Sequence, residues 1–154
     1  MAIRTEIGAR GRYNPLMVDP NIPSVGMDQV DSEHALQVQM LRDIEAALAE
    51  SRRDRARELM TALQEFTEAH FATEQILMRL HSYPGYGEHE AQHGELLEQF
   101  SVLEKGIATG AEAELPAASS AIRQWLTHHI GTADRAFVEY LQSSAAPIAA
   151  PALP

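Results

Sequence analysis

A pair of histidines, His89 and His93, lies in an apolar stripe and limits the fold more than any other feature of the sequence. Residues four apart occupy the same face of an α-helix. The stripe continues along the same face with Leu96, Phe100, Leu103 and Ile107. Both imidazoles are therefore expected on a buried face, where an unpaired polar ring is costly. The rest of the chain must bring matching polar groups to the same place in a helical core.

The composition favours one helical domain and excludes several classes of protein. A chain of 154 residues can bury a substantial core as one domain. It is rich in Ala, Leu, Glu and Gln, which favour helix. The formal net charge of -10 argues against binding to nucleic acid or to an anionic membrane surface. Because there is no cysteine, thiolate metal sites, cysteine-attached haem and disulfides are excluded.

The sequence shows neither a signal peptide nor a membrane span. Its N-terminus lacks an apolar stretch of signal-peptide length. No run approaches the ~20 apolar residues that a helix needs to cross a bilayer. We therefore expect a cytoplasmic protein without membrane insertion.

Glycine and proline divide the chain into three parts. Residues 1–27 contain repeated Gly and Pro and are expected to form an extended N-terminal arm. Residues 28–144 carry the hydrophobic periodicity of four helices. Residues 145–154 are rich in Ala and Pro and are expected to be disordered. Four helices joined by short loops predict an all-α fold, an antiparallel up-down-up-down four-helix bundle.

The first two predicted helices are bounded by capping signals. Asp28 is expected to be the N-cap of the first helix, which ends around Ser51. Ser51 and Asp54 resemble a capping box for the second helix. The third and fourth helices are expected to end near residues 108 and 144.

Seven histidine and carboxylate residues fall on or beside the inward stripes of these helices. They are His34 on the first helix, His70 and Glu74 on the second, His89 and His93 on the third, and His129 and Asp134 on the fourth. In this topology, their distances from the helix ends place all seven within a slab on the order of 10 Å deep. Metal and ligand sites in bundles are built this way, from side chains on facing helices.

Each of these residues, taken alone, has a simpler explanation. A single core histidine is more often bonded to a backbone carbonyl than to a metal. His89 with His93 alone would suit zinc as well as iron. Glu74 alone could be a buried acid paired with an arginine. The alignment of all seven at one level is what favours a metal site.

The spacing from His129 to Asp134 does not suit a regular helix. Five residues correspond to a rotation of about 140° from the starting face. Asp134 must therefore reach the site from the side, or the helix must be irregular there, which Gly131 would permit.

The ordered set of seven resembles the pattern of the hemerythrin family. Its parts are His34, His70-x-x-x-Glu74, His89-x-x-x-His93 and His129-x-x-x-x-Asp134. The surrounding sequence is also similar, in Ser24-Val25-Gly26, Asp31-Ser32-Glu33-His34 and Trp125-Leu126-Thr127-His128-His129-Ile130. The resemblance covers roughly residues 24–142.

This resemblance implies a non-haem centre of two Fe ions, joined by an oxo or hydroxo bridge, that binds O2 reversibly. The ligands that it implies are His89, His93 and His129 for one iron, His34 and His70 for the other, and Glu74 and Asp134 as bridges. The iron with two histidines keeps an open position, where O2 would bind. Imidazole and carboxylate ligands together suit iron better than a softer metal.

The ligand mix also bears on the reaction. Di-iron sites in ferritin-like bundles use four Glu and two His, whereas this set has two carboxylates and five imidazoles. Fewer anionic ligands should stabilise high-valent iron less, which favours O2 binding over attack on a substrate. Leu126 and Phe71 are expected to line an apolar O2 pocket that protects the iron from water.

O2 storage, delivery to an O2-consuming enzyme, or sensing would each be compatible with such a centre. One alternative is an enzyme that handles nitric oxide or peroxide at the same open position. No further acid or base is evident near the pocket, so we expect no enzyme, and turnover assays would separate the two. The other alternative is an O2- or redox-sensing module that acts through a signalling partner, which an interaction test with and without O2 would reveal.

Overall fold

The computed structural model describes residues 20–144 of the chain and is built from four long helices. Their bounds are Asp28–Ala49 (α1), Arg53–Leu80 (α2), Tyr86–Thr109 (α3) and, in the fourth, Leu115–His129 (α4), a π-helical turn at Ile130–Asp134 and Arg135–Ser144 (α5). The predicted all-α four-helix bundle is confirmed. Of the predicted arm only residues 20–27 are described, and the predicted tail lies outside the described residues.

The helices pack in sequence order around a single core. α1 packs against α2, α2 against α3, α3 against α4, and α1 also against α4. The residues that fill the centre include Leu41, Met60, Phe100 and Ile122. Short loops make neighbouring helices antiparallel, so the start of α1, the end of α2, the start of α3 and all of α5 lie at one end. Within residues 20–144, no helix is apolar over a length that could cross a membrane.

The start of α1 is fixed by Asp31 rather than by Asp28, so the predicted N-cap is wrong. Asp28 is the first helical residue, and no side chain in the described part of the chain caps the helix. Instead, Asp31 reaches back and its Oδ1 accepts a bond from the Val25 N–H at 2.8 Å, while its Oδ2 accepts one from Ser24 Oγ at 2.6 Å. Gly26, at φ +84°, makes the sharp turn between them, in a region that favours glycine. The carboxylate thus ties the preceding segment to the helix.

The predicted capping box at Ser51 is also wrong, because Ser51 ends α1 instead of starting α2. Its φ is 57°, in the left-handed region. The Ser51 N–H bonds to the Leu48 carbonyl at 2.9 Å and the Arg52 N–H to the Ala47 carbonyl at 2.8 Å. This pair of bonds is a Schellman motif, which satisfies carbonyls that the helix end leaves free.

The π-helical turn resolves the spacing between His129 and Asp134. In a π-helix the hydrogen bond spans five residues instead of four, so residues five apart lie on one face. Both side chains are buried, at 3% and 1% exposure. Of the two expected alternatives, the irregular helix is the one observed. Pro23 lies 3.2 Å from where a Cβ would stand on Gly131, so the glycine lets the segment before α1 lie close against the turn.

Candidate metal centre

All seven histidine and carboxylate residues singled out in the sequence lie together in the core, each 1–5% exposed. Their possible ligand atoms form two groups, each with all atoms within 4.8 Å of one another. The groups are His89, His93, His129 and Asp134, and His34, His70 and Glu74. α1 to α3 supply five of the seven, and the fourth helix supplies the remaining two at the π turn.

Asp134 directs one carboxylate oxygen to each group. Its Oδ2 lies 3.1 Å from Nε2 of His34. Its Oδ1 lies 3.1 Å from Nε2 of His89 and 3.0 Å from Nε2 of His129. The carboxylate therefore stands between the two groups of histidines.

Glu74 does the same from the opposite side of the core. Its Oε1 lies 3.6 Å from Nε2 of His70. Its Oε2 lies 3.6 Å from Nε2 of His89 and 3.2 Å from Nε2 of His93. All five imidazoles thus turn the same ring nitrogen, Nε2, toward these two carboxylates.

The contacts fit shared cations better than they fit hydrogen bonds. Ten buried side-chain atoms have no hydrogen-bond partner within residues 20–144, and all but Oε1 of Gln99 belong to six of the seven residues. Unpaired buried polar atoms are rare in folded proteins. Two ligand atoms on one metal, at bonds of about 2.1 Å and a right angle, lie about 3 Å apart. The separations of 3.0–3.6 Å therefore fit coordination of common metals.

Without metal, the charges of the cluster stabilise one another. Burial raises the pKa of Glu74, but its contacts with His89 and His93 outweigh this and lower that pKa to about 2. Burial acts in the same direction on Asp134, yet its histidine contacts hold the pKa well below the usual range. Burial lowers the pKa of His89, but Asp134 and Glu74 outweigh this and raise it to about 9. For His93 burial prevails and the pKa is lowered.

Two residues that the sequence analysis missed hold imidazoles of the cluster from outside. Oε2 of Glu33 accepts a hydrogen bond from Nδ1 of His70 at 2.7 Å. Oε1 of Gln92 accepts one from Nδ1 of His129 at 2.7 Å. Such outer partners fix the ring orientation and the tautomer of a metal-binding histidine. Their sequence signal is weak: each directly precedes a site histidine but lies outside the apolar stripes.

Aromatic rings cover two of the histidines. Phe71 stacks on His93 with ring centroids 3.5 Å apart, and its centroid is 5.9 Å from that of His70. Trp125 stacks on His129 with ring centroids 4.3 Å apart. Leu126 is 2% exposed in the apolar core, one turn before His129.

The remaining histidines lie apart from the cluster. His81 is exposed just after α2, where its backbone carbonyl accepts a hydrogen bond from the Tyr140 hydroxyl at 2.9 Å. His128 is exposed on α4, although it adjoins His129 in the sequence.

Comparisons with known proteins agree with this geometry. The family model described as the hemerythrin HHE cation binding domain matches residues 25–141. A bacteriohemerythrin from Stenotrophomonas maltophilia is 22% identical over 120 residues, covering 78% of each chain. A bacteriohemerythrin from Methylococcus capsulatus is 26% identical over 108 residues, or 70% of this chain and 82% of its own. Hemerythrin subunit 1 from Golfingia vulgaris is 32% identical over 82 residues, or 53% and 61%.

The match of the family model extends from the segment before α1 into α5 and includes every residue of the cluster. The chain therefore belongs to the hemerythrin family and is a cation-binding domain of that family.

Proposed function

We propose that this protein binds O2 reversibly at a non-haem di-iron centre held by the seven clustered residues. The observation that carries this proposal is the placement of Glu74 and Asp134. Each carboxylate directs one oxygen to one group of histidines and its other oxygen to the second group. A carboxylate in that position can bridge two cations. Family members are mainly oxygen-binding proteins rather than enzymes.

The donor count differs between the two metal positions. One is faced by three imidazoles and two carboxylate oxygens, and the other by two imidazoles and two oxygens. The second position, beside His34 and His70, therefore keeps more room for a ligand from solution, and we assign O2 to it. Two ferrous ions, one held in each position, would supply the electrons for reversible O2 binding.

The donor types favour iron over softer metals. Imidazole and carboxylate suit iron, whereas copper(I) and structural zinc sites prefer thiolate, which this chain cannot offer because it has no cysteine. The cluster has only two carboxylates, so its fixed negative charge is low. A low negative charge favours reversible binding of O2 over oxidation of a substrate.

Apolar side chains shield the cluster from solvent. Leu126, Ile130 and Phe71 are 2%, 1% and 5% exposed. Phe71 stacks on His93, and O2, which is apolar and small, can enter an apolar space where water is disfavoured. Leu126 and Phe71 remain our candidates for the lining of the O2 pocket.

The biological use of the bound O2 follows from its rate of release. Rapid, repeatable release would serve storage or delivery to an O2-consuming enzyme. A bound form that passes quickly to a stable ferric state would serve sensing through a protein partner.

The proposal is tested by the visible spectrum of the iron-loaded protein through cycles of reduction, air and deoxygenation. We expect a charge-transfer band that appears with O2 and disappears when O2 is removed. The variant His129→Gln should lose the band, while His128→Gln, which changes the exposed neighbour, should keep it. A band that never forms, or that forms once and does not reverse, would contradict O2 carriage.

A further inference from the structure

Two ligand imidazoles are held from outside by acceptors of different charge. His70, beside the metal position with two histidines, donates from Nδ1 to the carboxylate of Glu33 at 2.7 Å. His129, beside the position with three histidines, donates from Nδ1 to the amide oxygen of Gln92 at the same distance. Nδ1 of the other three site histidines has no hydrogen-bond partner among residues 20–144. Each metal position thus has one such contact, and only one of the two is anionic.

The carboxylate of Glu33 is fixed in place. Nε2 of Gln29, one turn earlier on α1, donates to its other oxygen at 2.6 Å. The side chain of Glu33 is 26% exposed, so water still solvates it and it can keep its charge. Both oxygens are thereby engaged, and the one that faces His70 has little freedom to move.

The two acceptors differ in their effect on a metal. A carboxylate that accepts from the outer N–H of a metal-bound imidazole raises the basicity of that ligand. A more basic ligand and a nearby negative charge both favour the more highly charged ion, here ferric over ferrous. A neutral amide orients the ring in the same way without adding charge.

We propose that Glu33 is a positioning residue that makes the two irons inequivalent, so that the iron beside His34 and His70 is the first to be oxidised. This inference rests on the proposed di-iron centre and adds the order of oxidation within it. In the step concerned, one ferrous ion gives one electron to a soluble one-electron oxidant, such as a substitution-inert metal complex. No covalent bond forms or breaks.

The test uses two variants that exchange the charge and leave the hydrogen bonds possible. Glu33→Gln removes the charge at His70, and Gln92→Glu adds one at His129. Both are loaded with iron without O2 and titrated with redox mediators, while the mixed-valent state is followed by electron paramagnetic resonance. Changes in the outer partners of metal ligands typically alter metal affinity or activity 10–100-fold.

We expect Glu33→Gln to raise the first midpoint potential by at least about 59 mV, which is a tenfold change for one electron. Gln92→Glu should instead lower the second midpoint, and both variants should bring the two midpoints closer together. A merely structural role for Glu33 would weaken metal binding without moving the first midpoint. Affinity for redox-inert Zn²⁺ measures that effect separately, and the imidazole N–H resonance of His70 in the metal-free protein shows whether its hydrogen bond persists.

The inference fails if iron-loaded Glu33→Gln keeps its first midpoint potential within about 18 mV of the wild type, a factor of two in the one-electron equilibrium constant, or if only its second midpoint moves. If Glu33→Gln does not take up iron, the Gln92→Glu variant tests the inference alone. An unchanged second midpoint potential in that variant would contradict the inference. Failure of the wild-type protein to bind two irons would overturn the proposed function instead, so the two failures are distinguishable.

Discussion

At the scale of single residues, Leu126 tests the shielding of the cluster. It is 2% exposed, so Leu126→Ala should cost about 2–5 kcal/mol of unfolding free energy. The cavity should also admit water and make the O2-bound form decay to the ferric form faster. Leu103→Ala, at a fully buried position about 15 Å further along α3 than His93, is the matched control.

We expect similar losses of unfolding free energy for the two variants, measured by chemical denaturation. Only Leu126→Ala should shorten the lifetime of the O2-bound spectrum. Equal lifetimes in both variants would contradict a pocket role for Leu126.

His89 provides a pH test on the metal-free protein. Its pKa is raised to about 9, so its contribution to stability is fully present below pH 6.5 and is lost as the pH rises to about 9. The loss should reach about 3 kcal/mol at most. The pKa of His93 is lowered, so His93 has the opposite effect: stability falls as the pH drops below 6.5 and this imidazole becomes protonated.

Denaturant titrations of the metal-free protein between pH 6 and pH 9.5 measure this loss. His89→Gln should remove most of the pH dependence in that range. A variant whose stability falls in parallel with the wild type would show that another group is responsible.

Residues of the cluster could be found from the sequence because each interrupts or borders an apolar stripe. A buried polar side chain needs a partner, and that physical requirement is readable from periodicity. Glu33 and Gln92 carry no such signal, since they lie on the flanks of their helices, where polar residues are ordinary. Trp125 and His129 lie four residues apart on α4, so their proximity is readable from the sequence. Their stacked arrangement depends on the side-chain rotamers, which the spacing does not specify.

At the scale of helices, Asp31 determines how the chain enters the bundle. Asp31→Ala removes the acceptor for the N–H of Val25 and for Ser24 Oγ. It should cost about 1–2 kcal/mol of unfolding free energy, similar to the loss of a helix cap. Asp28→Ala lies in the same first turn and loses only the dipole interaction of about 0.3–1 kcal/mol.

Hydrogen exchange should distinguish these two variants as well. The amide of Val25 should lose protection in Asp31→Ala and keep it in Asp28→Ala. Equal effects of both substitutions would mean that Asp31 acts through the helix dipole alone.

The helices differ in how far their ends could be predicted. Periodicity correctly predicted four helices, whereas both predicted capping assignments failed. Asp28 and Ser51 have the right chemistry for caps, but the backbone turns that surround them decide which group they meet. At the π turn the sequence was more informative, because a spacing of five residues between His129 and Asp134 is incompatible with a regular α-helix face.

At the scale of the whole molecule, metal binding should contribute to folding stability. The cluster brings two carboxylates and five imidazoles into the core, and cations that bind only the folded state stabilise it by mass action. At free Fe²⁺ about 1,000 times the dissociation constant, the gain is about 4 kcal/mol for each occupied site. For a chain of this size, each occupied site should raise the melting temperature by roughly 10 °C.

Thermal unfolding without O2, before and after treatment with a chelator, measures this contribution. Mg²⁺ should restore little of the lost stability, because it prefers an all-oxygen octahedral shell. Full recovery with Mg²⁺ would show that the imidazoles are not ligands.

The most direct test of the account is a calorimetric titration of the metal-free protein with Fe²⁺ in the absence of O2. We predict two equivalents per chain for the wild type. His34→Gln, which leaves the position with three histidines intact, should bind about one. A single equivalent in the wild type, or two equivalents in a variant that carries both Glu74→Gln and Asp134→Asn, would contradict the bridged pair of metals.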